Sequence, residues 1–274
     1  MIQAAPPRPV MLRAITIWSS ESPQPHVTAT HDLLLLHGAL GASTQFDALA
    51  RGLQPHFRIH RLDFEGHGSA PPRGRPFRIP FFAENVLELL DSNGIERALL
   101  FGYSMGGYVA LHLALEHPSR VLRVATLGTK LRWDRETASR EVARLDPDVM
   151  RAKVPKFAGV LAARHERAGG WEHVLADTAD LLPELGERPL VRNADLARIT
   201  QPVRIIVGDR DATVGVEESA AASRSLIDGS LTVLADTPHP IEQVDPTRLV
   251  PILVDFFLQA TAERRAAGDP LQFP

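Results

Sequence analysis

The run Leu33-Leu34-Leu35-Leu36, closed by His37-Gly38, constrains this chain more than any other feature. Four successive leucines show no polar alternation, so they suit a strand covered on both faces rather than one with a face in water. Similar short runs recur: "FRIHRLDFEG" at 57–66, "ALLFGYS" at 98–104, "VLRVATLG" at 121–128, "VRIIVGDRD" at 203–211 and "SLTVLAD" at 230–236. "AITIW" at 14–18 is a candidate leading strand. Helical spacing fills the gaps. "STQFDALARGL" puts Phe46, Leu49, Ala50 and Leu53 on one side, with Ser43 as its N-cap. "IPFFAENVLELLDSNG" stops at Asn93-Gly94, and "GGYVALHLALEHP" is closed by Pro118. "TRLVPILVDFFLQATAERR" ends the fold as a helix whose first turn Pro251 leaves open. Strands separated by helices, again and again, predict an α/β fold: a mostly parallel central sheet with helices on both faces.

Residues 130–200 break this rhythm. They lack strand runs, are rich in Arg, Asp and Glu, and carry apolar residues at helical spacing, as in "REVARL" and "KFAGVLAARH". The segment reads as a helical insertion between two strands. The expected division is a core made of 1–129 and 199–274, interrupted by helical residues 130–198.

Composition limits what such a fold does. Lys+Arg 30 against Asp+Glu 33, with no basic run, predicts no nucleic-acid partner. The chain has no cysteine, which excludes a disulfide scaffold, a thiol nucleophile and a cysteine-bound metal. No apolar run approaches the ~18 residues that cross a bilayer, so no membrane role is expected. The N-terminal "MIQAAPPRPVMLRAITIW" lacks the apolar core of roughly 7–15 residues that a signal peptide needs, so the expected location is the cytoplasm.

Chemistry concentrates at Gly102-Tyr103-Ser104-Met105-Gly106, where a strand run meets a helical one. The G-x-S-x-G pattern arises by chance in about one chain in ten of this length, so its context has to decide. A strand turning straight into a helix holds the serine at a strained apex. Residues two before and two after then crowd each other and must be small. A serine needs a base. Of the 11 histidines, His37 and His67 lie in glycine-containing turns and read as loop braces. His112, His117 and His173 fall on helices, where packing or solvation is the usual outcome. His239, in "LADTPHPIEQV", follows the last strand in a proline-stiffened loop, at the same rim as Ser104. An orienting acid is offered by "VGDRDATV". Asp211 lies further into that loop than Asp209, which reads as a turn cap or a binder of backbone amides. An acyl-transfer site also needs amide donors for a developing oxyanion. Met105 N–H, at a helix start, is one. Ala39 N–H, in the small-residue loop "HGALGAS", is the candidate for the second.

Taken together, "LLLLHGALG", "RLDFEGHGSA", "GYSMGG", "VGDRDATV" and "PHPIEQV" resemble, in order, the motifs of the α/β-hydrolase superfamily, serine-nucleophile branch with a helical cap. The resemblance spans about residues 32–245. It implies a cap at roughly 130–198, a triad of Ser104, Asp211 and His239, and an oxyanion hole at the Ala39 and Met105 amides. No metal or organic cofactor is implied, and the partner is a small-molecule acyl substrate. Thr237-Pro238 stands where many relatives carry glycine before the histidine, and the N-terminal region is short for a leading hairpin. The expected reaction is cleavage of a small or medium carboxylic ester. C–C bond hydrolysis or acyl transfer on the same triad is an alternative, as is a non-enzymatic ligand sensor. Apolar residues of the insertion (Leu131, Trp133, Phe157, Val160, Leu161, Trp171, Leu175) are expected mostly to pack together, with a few lining a pocket. Arg132, Lys153, Lys156 and Arg164 are basic candidates for an acidic substrate group.

Overall fold

A computed structural model describes residues 31–266, with side chains through Gln259. The candidate strand at 14–18 lies outside the described residues. In chain order the main elements are β1 (Asp32–Leu36), α1 (Asp47–Leu53), β2 (Arg58–Arg61), α2 (Ile79–Ser92), β3 (Ala98–Tyr103), α3 (Met105–Glu116) and β4 (Val121–Leu127). Five helices follow: α4 (Arg135–Val142), α5 (Pro147–Lys153), α6 (Pro155–Arg164), α7 (Trp171–Glu187) and α8 (Asn193–Leu196). Then come β5 (Val203–Gly208), α9 (Val216–Ser225), β6 (Gly229–Leu234) and α10 (Pro246–Ala266).

The described strands form one parallel sheet in the order β2-β1-β3-β4-β5-β6. β1 and β3 pair with Leu33 opposite Leu99 and Leu35 opposite Phe101. Alternation along each strand then sorts the leucine run between two layers. Leu34, Leu36, Leu100, Val124 and Ile205 pack with Phe82, Val86 and Leu90 of α2 and Val109 and Leu113 of α3. Leu33, Leu35, Leu99, Phe101 and Leu127 face Leu49 and Leu53 of α1 and Leu249, Leu253 and Phe257 of α10. All four leucines of β1 are fully buried, each contributing about 1.5–3 kcal/mol relative to exposure. Because every strand runs the same way, the loops after β1, β3, β4, β5 and β6 gather on one rim.

Two local expectations need correction. The strand expected over 57–66 is only Arg58–Arg61. Beyond it Asp63 accepts the Ser43 and Ser69 amides, at 2.7 and 2.8 Å, which bends the chain out of the sheet. Ser43 is not an N-cap. A 3₁₀ turn begins at Ser43 itself after Ala42, and the Gln45 side chain accepts the Ala42 amide at 3.1 Å. The terminal helix forms as expected, and its first turn, left open by Pro251, is helical too, with Pro251 in the second turn.

The segment between β4 and β5 is helical, from Arg135 to Leu196. Met150, Ala158, Leu161, Trp171 and Leu175 form a small core of their own, with Leu40 of the loop after β1 packed against it. Leu131 joins the core of the sheet, and Trp133 packs against it half-buried. Phe157 and Val160, expected to pack, are 42% and 49% exposed. They lie on the face of α6 turned away from that small core. Among the described residues no helix is long and apolar enough to cross a membrane.

Candidate active site

Ser104 occupies the junction of β3 and α3 at φ 51, ψ −118, a conformation rarely adopted by a residue with a side chain. Its neighbours explain how it is held. The Ser104 amide donates to Leu127 O at 2.8 Å, while Gly107 N–H and Thr129 Oγ1 donate to Ser104 O at 3.0 and 3.1 Å. A Cβ on Gly102 would collide with the Gly106 carbonyl and the Gly107 backbone. One on Gly106 would strike the carbonyls of Leu36 and His37. The flanking glycines are therefore a packing requirement of the turn.

His239, in the loop after β6, reaches the same point. Its Nε2 lies 3.3 Å from Ser104 Oγ and its Nδ1 2.7 Å from Asp211 Oδ2. Asp211, in the loop after β5, is nearly fully buried, and its Oδ1 accepts the Thr213 and Val214 amides at 2.7 and 2.8 Å. An ionised carboxylate only accepts, so His239 Nδ1 donates to it and the Nε2 lone pair faces the serine. The Tyr103 ring lies 5.4 Å from the imidazole, centroid to centroid, and backs it from the β3 side. Asp209, by contrast, accepts the Thr237 amide at 3.3 Å and has no contact with His239. The structure thus brings Ser104, His239 and Asp211 together and leaves Asp209 on the backbone.

The two amides assigned to the oxyanion flank this group. Met105 is the first residue of α3, and Ala39 lies in the turn after β1. Among the described residues neither amide donates to a protein acceptor. The Ala39 loop runs beside the serine: a Cβ at Gly38 would stand 3.1 Å from Ser104 Cβ.

The rim loops are held by buried polar side chains. The Phe64 amide donates to His37 Nε2 at 3.0 Å, so His37 carries its proton on Nδ1 and donates to Gly38 O at 2.8 Å. Burial pushes its pKa down from 6.5 to about 4. His67 is also fully buried, held well below the usual histidine range by desolvation, with its ring stacked on Phe77 at 4.7 Å. Asp63 joins the loops after β1 and β2, as described above. Although burial pushes its carboxyl up, the Ser43 and Ser69 amides hold it below the ordinary range. His112 is buried on α3, His117 caps that helix, and His173 on α7 lies 3.2 Å from Asp177. Of the basic candidates in the insertion, Arg164 bonds within the protein, whereas Arg132, Lys153 and Lys156 are exposed. Sequence reasoning passed over His165, which is fully buried and contacts Leu40 and Gly68. It carries no motif, and its partners are far away in the chain. Among the described residues no cluster of His, Asp and Glu is arranged to hold a metal.

Comparison with known proteins agrees with this architecture. The family model described as alpha/beta hydrolase fold matches residues 33–170. A pimeloyl-[acyl-carrier protein] methyl ester esterase of Aeromonas salmonicida is 32% identical over 171 residues, covering 60% of this chain and 65% of that protein. The chain therefore aligns with slightly less than two thirds of that relative. The protein of the same name from Yersinia enterocolitica is 28% identical over 254 residues, covering 84% of this chain and 94% of its own. Among solved structures, a thermophilic esterase from Thermogutta terrifontis superimposes with a TM-score of 0.68 at 23% identity, covering 84% of this chain and 90% of that one. At that identity the likeness speaks for the fold alone.

Proposed function

Because the chain belongs to the alpha/beta hydrolase fold family, we propose that it is a serine hydrolase that cleaves carboxylic esters through a covalent acyl-enzyme. The observation that carries this reading is the continuous contact from Asp211 through His239 to Ser104, with the serine on a strained turn. Ser104 Oγ attacks the ester carbonyl while His239 Nε2 takes its proton. Asp211 keeps the imidazole in the tautomer that leaves Nε2 free and stabilises the imidazolium that forms. The oxyanion is received by the Met105 and Ala39 amides, each such donor being worth about 2.7–4 kcal/mol in the transition state. Collapse expels the alcohol, which takes the proton back from His239. Water then repeats the sequence on the acyl-enzyme and releases the acid.

The helices of residues 130–198 act in this reading as a cap over the rim. Their small core packs on Leu40, one residue beyond Ala39, so they bound the space in which an acyl chain lies. The relatives' names make methyl esters of acyl chains, free or attached to an acyl-carrier protein, the first substrates to try.

The test is labelling by a fluorophosphonate, read by intact mass and peptide mapping. The expected result is one adduct per chain on Ser104, absent in Ser104→Ala and slowed at least about a thousandfold in His239→Ala. A folded protein that takes up no probe would sink the proposal.

A further inference from the structure

Arg164, the last residue of helix α6, and His165, the residue that follows it, grip the loop that carries Ala39. Arg164 Nη1 donates to Leu40 O at 3.0 Å, and His165 Nε2 approaches the same oxygen at 3.0 Å. The Gly68 amide donates to His165 Nδ1 at 3.0 Å. That nitrogen is therefore the unprotonated one, and His165 Nε2 carries the hydrogen that Leu40 O receives. Arg164 Nη2 also donates to Glu242 Oε1 at 2.9 Å, and Gln45 Nε2 reaches the same oxygen at 2.8 Å. Glu242 lies three residues past His239. One helix end thus ties together the loops after β1, β2 and β6.

The point that is gripped is unusual. Leu40 has φ 58, in the left-handed region that a leucine avoids. Such a residue persists only where its surroundings over-determine it. Two donors on a single carbonyl, with the leucine side chain packed against the small core that includes Leu161 and Trp171, meet that requirement. Rotation of this residue would swing the turn Gly38–Gly41 and move the Ala39 amide relative to Ser104. His165 is fully buried, and desolvation holds it below the ordinary histidine range, which keeps the ring neutral and able to accept from Gly68.

We propose that Arg164 and His165 are positioning residues, which hold the Leu40 peptide so that the Ala39 amide faces the oxyanion. The proposal rests on the acyl-transfer reading above. It also gives the helical insertion a part in the chemical step in addition to its part in enclosing substrate. The Arg164 side chain, only 12% exposed, is not free to meet substrate, since both ends of its guanidinium are engaged.

The experiment compares wild type, Arg164→Met, Arg164→Lys and His165→Gln on a chromogenic short-chain ester. Each preparation is normalised by fluorophosphonate titration, so that only assembled sites are counted. Affinity for a trifluoromethyl ketone, whose serine adduct places an oxyanion in the same position, is measured in parallel. Arg164→Met is expected to lower kcat per titrated site by about tenfold to a hundredfold, the range that a displacement of about an ångström produces. KM should hold, ketone affinity should fall in step with kcat, and Arg164→Lys should recover part of both. His165→Gln retains a donor for Leu40 O and should fall between wild type and Arg164→Met. Unchanged kcat per site and ketone affinity in Arg164→Met would overturn the proposal, as would a change confined to KM. A wild-type protein that takes no fluorophosphonate would instead overturn the acyl-transfer reading, and this inference with it.

Discussion

The sheet and the loops on its rim are held together by different physics. In the sheet, stability is spread over many interchangeable apolar contacts. Leu34, Leu100, Phe82 and Val109 are all fully buried, and none of their side chains makes a bond with a required direction. On the rim a few polar side chains hold backbone groups of their own or neighbouring loops: His37 to Phe64, Asp63 to Ser43 and Ser69, Asp211 to Thr213 and Val214, His165 to Leu40 and Gly68. Losing an apolar contact weakens the whole molecule, whereas losing one of these bonds leaves a buried polar group unpaired and displaces a particular loop. The sheet therefore sets how long the fold lasts, and the rim sets where its reacting atoms stand.

The sharpest way to break this contrast is to alter chemistry without altering packing. Asp211→Asn keeps an acceptor for the Thr213 and Val214 amides but turns a donor toward His239 Nδ1. The imidazole then has to place its proton on Nε2, facing the serine. A loss of about 10⁴-fold in kcat is expected, as for the corresponding change in a serine protease, with little change in the urea midpoint. A variant that kept a tenth of the activity would show that Asp211 only supports the loop.

Leu100→Ala is the converse. The residue lies in the centre of β3, fully buried between α2 and α3. Its truncation is expected to cost about 2–5 kcal/mol of unfolding free energy, depending on how far the site relaxes. The kcat per fluorophosphonate-titrated site should stay within about a factor of two, because no rim bond is touched. If kcat per site collapsed together with stability, the two regions would not be separable.

The same division decides what the sequence discloses. The leucine run predicts β1 because a strand covered on both faces needs no polar residue, and the structure covers it on both faces. The glycines around Ser104 are legible because their spacing follows from one local turn. The order β2-β1-β3-β4-β5-β6 is not legible in that way, since the neighbour of a parallel strand is chosen by tertiary packing. The true end of β2 was hidden too: "FRIHRLDFEG" has a strand's composition, and it stops early because Asp63 finds backbone donors at Ser43 and Ser69. Arg164 and His165 look like the solvated end of a helix until Leu40 is brought against them. The motifs around Ser104, Asp211 and His239 point to contacts between loops that the structure contains, whereas Arg164 and His165 carry no motif, and their partners on other loops could not be read.

Acid offers the gentlest probe of the comparison, because it acts on the rim before it acts on most of the carboxylates. His37 has a folded pKa of about 4 against 6.5 for the free side chain. Its lowered value means that the unfolded chain binds the proton more readily. The stability it contributes is therefore complete above pH 6.5 and is lost as pH falls toward 4. By pH 5 the loss from His37 alone is about 2 kcal/mol. His67 and His165 shift in the same direction and add to it, as does His112 on α3. The Asp63 and Glu242 carboxyls are held below their ordinary values by hydrogen bonds, against the push of burial, so they weaken the fold only at more acid pH. Urea unfolding at pH 7 and pH 5 should show this drop in wild type, and the same drop superimposed on the lower baseline of Leu100→Ala. In His37→Gln, which has no proton to gain at that position, the drop should shrink by about 2 kcal/mol. An undiminished drop would mean that acid acts on the molecule elsewhere than through the imidazole beneath the Ala39 loop.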